Sequence, residues 1–526
     1  MKSFRTTFVQ PEYILTAFIL LLAFSLRIWG ISARSLWFDE VFKIWPATSN
    51  FWNIPQLRGG IIDPPLYSYL LHFWMQFGKS EVHLRSLSVF FSVLSVIGVM
   101  VLGYRIQGWA TSLIAGVLMA LIPTEVRYAQ EVGPYALMVC LIVWNVVALL
   151  NIKKNPKWIA YCLWAFLAIL GTYSHYGAAL TIVFLYCIFL IEVIYQKDWH
   201  NLKYGVVTFV FYWVAITPLL LYLLPTQIPW ALSFGAPLNE FVSLSSELKN
   251  IWVFTQQFVA FQFTGWPFTV IPPILPFFLV VILLIISGKN QSRFLSWLLL
   301  TLGVYYLASR IGLFNYPRHG LILSPLIVPI VAYGLQYLVF GSHRKYQNLL
   351  GLLILISLVV IIFISLPNRS FRDRLFYEQN WLWPETEDMR PVVEYWQDRR
   401  DKTIPTYIYY GATPAFTFYT DTYKNKGPDL QPLQYSKCWG EQSPEYCRRD
   451  GIYYGKWIRS LTPEEKIQSI YKTISGRPEE LWIIFSHHLH VDEENQILAG
   501  LLDHYSIIQS FQKTNASVYL LKTKSY

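Results

Sequence analysis

The feature that most constrains this chain is a series of long apolar runs. Each is about 17–23 residues long, enough to cross the hydrocarbon core of a bilayer as a helix. Charged residues make up only 14% of the chain, against about 25% in soluble domains. The runs lie at 12–30, 84–104, 108–124, 134–150, 158–174, 176–195, 204–224, 267–287, 294–311, 320–339 and 347–366. We therefore predict a polytopic α-helical membrane protein with about eleven transmembrane helices.

The charges between the runs indicate an orientation. Every second connection is short and basic, and this set contains a single acid, Asp198. The other set carries mixed charges and includes the acids and histidines near the span ends. Because cytoplasmic loops are rich in Lys and Arg, we expect a cytoplasmic N-terminus and an external chain after residue 366. The net charge of +10 is then an orientation signal, and we expect no nucleic-acid partner.

The first external loop, 31–83, contains one ambiguous apolar segment. PPLYSYLLHFWMQFG at 64–78 is fifteen residues long, too short to span a bilayer comfortably. The two prolines suit a helix start. We predict a helix in the headgroup zone, because a twelfth span here would reverse the side of every later loop.

The composition changes after residue 366, where a charged tail begins. Runs with helical character, at 388–400, 462–474 and 493–504, alternate with apolar strand-like runs at 406–410, 481–485, 506–511 and 517–521. This alternation predicts a small α/β domain. The predicted organisation is therefore a transmembrane module, 1–366, followed by an external (periplasmic) domain, 367–526.

Two features of the tail invite a binding or redox interpretation. Cys438 and Cys447 flank CWGEQSPEYC, and outside the cytoplasm they would either form a disulfide or remain two free thiols. The tetrapeptide HHLH at 487–490 lacks a spaced fourth ligand for a metal. We interpret HHLH as a surface loop.

Ionisable residues at one membrane face are the candidates for function. SLWFDEVFKIW places Asp39 beside Glu40 just after the first span. Adjacent helical residues point about 100° apart, so one carboxylate can act as a base while the other is held in place. The alternative is a solvated loop start in which Glu40 pairs with Lys43. Asp63 precedes two prolines, where a helix cap alone would also explain it.

Further candidates lie in later external connections. The turn EVRYAQEVGPYAL at 125–137 contains Arg127, Tyr128, Glu131 and Tyr135. His175 stands between two nearly continuous spans, and Arg318 begins another. A guanidinium there suits capture of a phosphate. An ordinary polar loop, a structural histidine and an interface anchor are the respective alternatives.

In their order along the chain these motifs resemble the GT-C fold glycosyltransferases. The resemblance is greatest to the protein-O-mannosyltransferase and aminoarabinose-transferase superfamily, glycosyltransferase family 39 and its relatives, and covers about residues 10–340. It is carried by SLWFDEVF, Asp63-Pro64-Pro65-Leu66-Tyr67, VHLRSLSVFFSVLSV, the 127–137 turn, Ser174-His175-Tyr176-Gly177 and Pro317-Arg318. One departure is Gly133, where many relatives carry arginine.

The resemblance implies transfer of a mannose-like hexose or a pentose from a polyprenyl-phosphate donor. The acceptor would be a lipid, glycan or protein on the external side of a bacterial inner membrane, and the transfer would be inverting. The implied roles are Asp39 as general base with Glu40 and Asp63 in support, Arg127 and Arg318 on the donor phosphate, and Glu131, Tyr128, Tyr135 and His175 lining the acceptor region. Some relatives bind a divalent metal through residues matching Asp63 and a histidine such as His175, whereas others need none, so no cofactor is assigned.

Two other classes of protein share part of this pattern. A transporter or lipid flippase with an external domain would also hold charges among its spans, and a cell-envelope assembly protein could carry the tail as a ligand-binding domain. Transporters favour midplane sites on broken helices and paired internal repeats. The candidate charges here gather at one face and no repeat is visible, which favours the enzyme.

Overall fold

The computed structural model describes residues 10–55, 63–227, 280–286, 292–310, 317–340, 353, 356, 387–420, 448–449, 451–456, 458, 461–487 and 493–524. The chain divides into two compact units. We call Met1–Trp29, Gly60–Leu70 and Arg85–Arg372 the helical unit, and Gly30–Gly59, Leu71–Leu84 and Asp373–Tyr526 the sheet unit. Most of the loop that the sequence placed within the 1–366 module therefore packs with the tail.

Most of the described helices up to residue 340 overlap predicted apolar runs, and three short ones, 38–47, 66–74 and 123–129, lie largely between them. The helices are α1 (Pro11–Ile28), α2 (Phe38–Ala47), α3 (Leu66–Trp74), α4 (Glu81–Gln107), α5 (Trp109–Leu121), α6 (Pro123–Ala129), α7 (Tyr135–Lys154), α8 (Trp158–Ser174), α9 (Tyr176–Tyr195), α10 (Trp199–Pro218), α11 (Ser292–Arg310) and α12 (Ser324–Phe340). Within the described residues, six helices are long and apolar enough to cross a membrane, or seven if α5 and α6 form one bent span. Of the predicted runs, 347–366 is described only at residues 353 and 356 and 267–287 only at 280–286, all of which are helical.

A bend of 59° separates α5 from α6. Pro123 is the first residue of α6 and has no N–H, so the carbonyl of Met119 cannot receive the usual bond from four residues later. Arg27, which is fully buried in α1, replaces that donor. Its Nη2 donates to Met119 O and its Nη1 to Ala120 O, both at 3.0 Å. The bend is thus held by a guanidinium from another helix.

The core of the helical unit is aromatic and closely packed. Trp164 on α8 is fully buried, and its ring centroid lies 3.8 Å from that of Tyr186 on α9. The Trp164 Nε1–H donates to Asn145 Oδ1 of α7 at 3.1 Å, so the indole has its polar partner. These contacts join α7, α8 and α9 into a rigid base for the connections between them.

The sheet unit contains a mixed sheet with helices packed on it. Its remaining helices are α13 (Met389–Arg399), α14 (Thr413–Tyr419), α15 (Pro463–Ile474) and α16 (Glu493–Leu502), and its strands are β1 (Thr406–Ile408), β2 (Arg448–Arg449), β3 (Ile452–Tyr454), β4 (Glu480–Ser486), β5 (Tyr505–Lys513) and β6 (Ala516–Thr523). The strand order among the described residues is β2-β3-β1-β4-β6-β5. Every helix and strand predicted in the tail is confirmed to within two residues; β2, β3 and α14 were not predicted.

Strand β1 lies between two parallel neighbours. Thr406 pairs with Ile452 of β3 on one side and with Trp482 of β4 on the other. After β1 the chain forms β3 on one side of β1. It then crosses to the other side of β1 and forms β4. Strand order reverses at β1, the position where open α/β sheets have a crevice beyond the carboxyl ends of their strands.

Candidate active site

The predicted site residues divide between the two units. Asp39 and Glu40 belong to the sheet unit, and the other described site residues belong to the helical unit. The side chain of Arg318 and the residues Cys438 and Cys447 lie outside the described residues. The phosphate-binding prediction for Arg318 and the disulfide remain predictions.

The helical unit brings most of its predicted residues into one connected group, which we call the polar cluster. The members are Asp63, Arg127, Tyr128, Glu131, Tyr135, His175 and His319. The Asp63 carboxylate lies 3.8 Å from His175 Nε2, and the His175 ring centroid lies 5.5 Å from that of Tyr135. Tyr135 in turn contacts Tyr128, with ring centroids 4.9 Å apart. Residues from four separate stretches of sequence therefore meet in one place.

An ion pair forms one end of the polar cluster. Arg127 Nη2 lies 3.4 Å from Glu131 Oε2, and the two residues are only 5% and 3% exposed. Their positions follow from the bend at Pro123, because Arg127 lies near the end of α6 and Glu131 just beyond it. A guanidinium this deeply buried interacts with anions far more strongly than one in water. The arrangement can therefore hold a phosphate or a second carboxylate.

The backbone next to His175 determines its protonation pattern. His175 is the residue between α8 and α9, and its Nδ1 accepts a hydrogen bond from the Gly177 N–H at 2.9 Å. Because Nδ1 accepts, the proton of a neutral ring is on Nε2. Nε2 faces Asp63. The Nε2–H of the neutral ring is thus directed toward the Asp63 carboxylate, with 3.8 Å between the nitrogen and the nearer oxygen.

The same tautomer bears on the predicted metal site. A metal ligand must present a lone pair, whereas Nε2 here carries a proton. Among the described residues there is also no group of three or more His, Cys, Asp or Glu side chains able to hold an ion. Asp63 and His175 are adjacent as predicted, but in this arrangement they do not fit a metal-binding pair, and we derive no chemical step from a metal.

The double-proline motif is connected by hydrogen bonds to the chain segment that carries the polar cluster. Tyr67, the residue after Leu66 at the start of α3, places its hydroxyl 3.0 Å from Ser88 Oγ, and Ser88 Oγ donates to the Gly133 carbonyl at 3.4 Å. Among the described residues, a Cβ built on Gly133 would meet Glu131 Oε1 and Tyr135 Cδ2, both at 3.7 Å. A Cβ at Gly133 is therefore in ordinary van der Waals contact with these two residues of the polar cluster.

In the sheet unit, Asp39 and Glu40 have different surroundings. Both lie in the first turn of α2, where the helix dipole favours negative charge. Glu40 is 1% exposed, and its carboxylate accepts the Trp37 N–H at 3.3 Å. Asp39 is half-buried. Glu40 thus completes the start of the helix, and Asp39 is the more exposed of the two carboxylates.

Residues of the tail bind the start of α2. The Phe38 N–H donates to Glu387 Oε2 at 3.2 Å, and the Leu36 N–H donates to the Tyr419 hydroxyl at 2.5 Å. The Phe38 ring is stacked on His487 with centroids 3.9 Å apart. His487 is only 8% exposed, so the surface-loop interpretation of HHLH is wrong for its first residue; 488–490 lie outside the described residues. The error arose because stacking on Phe38, a residue distant in sequence, leaves no signal in the residues around His487.

Two residues of the helical unit were missed as candidates. His319 joins the polar cluster, with its ring centroid 6.0 Å from that of His175, and its place beside Arg318 at a span start was the available signal. Arg27 was passed over inside the first apolar run. A charge within a span is itself a functional or structural signal, but a hydropathy average over the run conceals it.

Comparison with known proteins agrees with this architecture. Residues 63–222 match the protein family described as dolichyl-phosphate-mannose-protein mannosyltransferase. No curated protein sequence matches the chain significantly. The matched segment contains Asp63, Arg127, Glu131 and His175, and it excludes Asp39.

Solved structures extend the likeness to nearly the whole chain. ArnT from Cupriavidus metallidurans in the apo state superposes with a TM-score of 0.53 at 10% identity, covering 97% of each chain. ArnT from the same organism bound to undecaprenyl phosphate gives 0.51 at 12% identity, again with 97% of each chain covered. The archaeal oligosaccharyltransferase AglB from Archaeoglobus fulgidus gives 0.46 at 12%, with 97% of this chain and 74% of that one covered.

Proposed function

The chain has the GT-C glycosyltransferase fold, and from this premise we propose that it transfers a sugar from a polyprenyl-phosphate donor to an acceptor on the external side of the membrane. The proposal rests on the polar cluster, in which a buried guanidinium, two carboxylates and an imidazole meet within the segment that matches the mannosyltransferase family. The donor class is supported by the undecaprenyl phosphate in the ArnT structure. We place the enzyme in a bacterial inner membrane with its N-terminus in the cytoplasm.

The leaving group of this reaction is a lipid phosphate. The bond from the anomeric carbon to the phosphate oxygen breaks, and the electron pair leaves with the phosphate. Negative charge therefore grows on that oxygen in the transition state, and a cation at that position lowers the barrier. We assign this role to Arg127, together with Arg318.

The incoming group is an acceptor hydroxyl. Its proton passes to the Asp39 carboxylate while its oxygen forms the new bond to the anomeric carbon. A single displacement inverts the configuration at that carbon and needs only one base. The two-carboxylate scheme of glycoside hydrolases is therefore not required.

The remaining members of the polar cluster have supporting roles in this proposal. Asp63 orients His175 through its carboxylate, and the imidazole with Tyr135 and Tyr128 provides hydrogen-bonding and ring surfaces for the sugar or acceptor. Glu131 holds the Arg127 guanidinium through their 3.4 Å ion pair. We expect a mannose-like hexose or a pentose as the sugar and a lipid, glycan or protein as the acceptor.

Substitution of the base tests the proposal directly. Asp39→Asn keeps the shape of the side chain but cannot accept the proton, so the kcat for transfer from a labelled polyprenyl-phosphate sugar should fall by about 10²–10⁴-fold. Donor binding, measured separately, should stay within a factor of about three, because the same atoms line the site. The matched control is Asp401→Asn, an exposed acid that accepts only local bonds from Thr403.

The possible results distinguish a transferase that uses Asp39 as base from the alternatives. Full transfer by Asp39→Asn would exclude Asp39 as base. Movement of the intact polyprenyl-phosphate sugar across vesicles, without cleavage of its sugar–phosphate bond, would instead identify a flippase.

A further inference from the structure

The first turn of α2 is completed by groups from far along the chain. Trp37 is the N-cap of this helix, so Phe38 is its first helical residue and its N–H has no partner within the helix. Glu387 Oε2 accepts that N–H at 3.2 Å. The other oxygen of the same carboxylate, Oε1, lies 2.5 Å from His487 Nδ1. One glutamate therefore joins the helix start to the sheet.

The contact between the start of α2 and the sheet also has an apolar part. The rings of Phe38 and His487 are stacked, with an interplanar angle of 6°. Glu387 is 2% exposed and His487 is 8% exposed, so water is largely excluded. In such surroundings a charge-assisted hydrogen bond is stronger and more directional than on a surface. The start of α2 consequently has little freedom to rotate or slide.

The location of this contact within the sheet is informative. His487 directly follows β4, and β4 is the parallel neighbour of β1, where strand order reverses. A Cβ on Gly411, three residues after β1, would lie 2.9 Å from His487 Cβ, so the ends of the two strands are in close contact. Open α/β sheets bind their ligands outside the carboxyl ends at this point. Here a helix start of the same chain, through Phe38, contacts that end of the sheet.

We propose that Glu387 and His487 are positioning residues for catalysis, which hold the first turn of α2 so that Asp39 is presented correctly to the acceptor hydroxyl. This inference rests on the proposed function, in which Asp39 is the base. Both act through Phe38, the residue before Asp39: Glu387 accepts its backbone N–H and His487 stacks on its ring. On this proposal the tail fixes the orientation of a catalytic helix.

The test compares three variants of the full-length protein in lipid nanodiscs. Glu387→Ala removes the acceptor for the Phe38 N–H, Glu387→Gln keeps an acceptor without the charge, and His487→Phe keeps the ring stack without the bond to Glu387. Since a small misplacement of a catalytic group costs up to about 100-fold in rate, we expect kcat to fall about 10- to 100-fold in Glu387→Ala. Glu387→Gln should retain most of the activity, and His487→Phe should lose less than Glu387→Ala because it keeps the stack. The KM for donor should stay within about twofold in all three.

Hydrogen–deuterium exchange supplies a readout that does not require activity. In Glu387→Ala the amides of 36–45 should exchange faster, while those of β4 and β6 keep their protection. The matched control is Glu494→Ala, which removes a carboxylate that accepts bonds from Ser517 and Tyr519 of β6. That loss affects the same unit without touching α2, and should leave kcat unchanged.

Each outcome has a definite meaning. Wild-type kcat and unchanged exchange at 36–45 in Glu387→Ala would overturn the positioning role, as would an equal loss of kcat in Glu494→Ala. Should Glu387→Ala not accumulate, His487→Leu, which removes both the stack and the hydrogen bond, is judged by the same criteria. A wild-type protein with no transferase activity would refute the proposed function, while the exchange experiment would still decide whether Glu387 holds α2.

Discussion

Arg27 offers the sharpest test of how the helical unit is held together. Its guanidinium is fully buried and donates to the carbonyls of Met119 and Ala120 at the bend between α5 and α6. It also attracts the Glu125 carboxylate, which is 2% exposed. The perturbation is Arg27→Met, which keeps a flexible chain of similar length and removes every donor.

The expected loss of stability follows from the polar groups that lose their partner in Arg27→Met. An unsatisfied buried acceptor costs about 1–3 kcal/mol, and the carbonyls of Met119 and Ala120 both lose a partner. Loss of a compensating charge beside Glu125 adds to this, although removal of the buried Arg27 charge offsets part of it. We expect the free energy of unfolding to fall by about 3–6 kcal/mol.

The assay is unfolding in mixed micelles with increasing SDS, followed by tryptophan fluorescence. Arg105→Met is the control, because Arg105 is an exposed arginine of α4 whose contact with the Val147 carbonyl is long, at 3.4 Å; its effect should stay below about 1 kcal/mol. Adding Glu125→Gln to Arg27→Met should recover part of the loss. A change of less than about 1 kcal/mol in Arg27→Met would refute the view that this guanidinium stabilises the bend.

Three further predictions concern other parts of the chain. Burial raises the pKa of Glu493 from 4.5 to about 7, so the folded state binds its proton more tightly than the unfolded state, and the free energy of unfolding should fall by about 1–3 kcal/mol between pH 4.5 and 7. Denaturant titrations of Glu493→Gln should show that this part of the pH dependence is gone; a curve identical to wild type would contradict it. Arg127→Ala should reduce transfer about 10²-fold, and adding Gly133→Arg should recover about tenfold by placing a new guanidinium beside the polar cluster, whereas Gly133→Ala, the control, should recover none. A methyl group in Gly177→Ala would overlap Cδ1 of Ile322 and lie 3.0 Å from His175 Nδ1, so thermal unfolding should show a loss of about 1–3 kcal/mol and transfer should fall as the imidazole moves; unchanged values for both would show that the site can relax.

The elements that sequence predicted well are those with strong local signals. Helix α15 is opened by Thr462, which caps the helix reciprocally with Glu465, and its apolar face has helical period. Strand β4 is a continuous apolar run. In both cases local propensity and burial point the same way, so neighbouring residues suffice to predict the element.

The features that sequence did not predict depend on distant partners. Strand β3 is only three residues long, and its pairing with β1 determines it more than its composition does. The packing of α2 against the tail joins Phe38 to Glu387, 349 residues later. Apart from His319, the members of the polar cluster were predicted as candidates because they share a predicted membrane face, but the ion pair of Arg127 with Glu131 required the bend at Pro123.

The distance in sequence between Phe38 and its partners has a consequence for biosynthesis. Helix α2 is among the first segments to leave the ribosome, yet the carboxylate that accepts its first N–H is made 349 residues later, and the histidine beneath its first ring later still. A nascent chain therefore carries its proposed base on a helix whose first N–H has not yet met its acceptor from the tail. On this reasoning, full sugar-transfer activity develops only after the tail has been made and folded, which would protect the lipid-linked donor from a half-made enzyme.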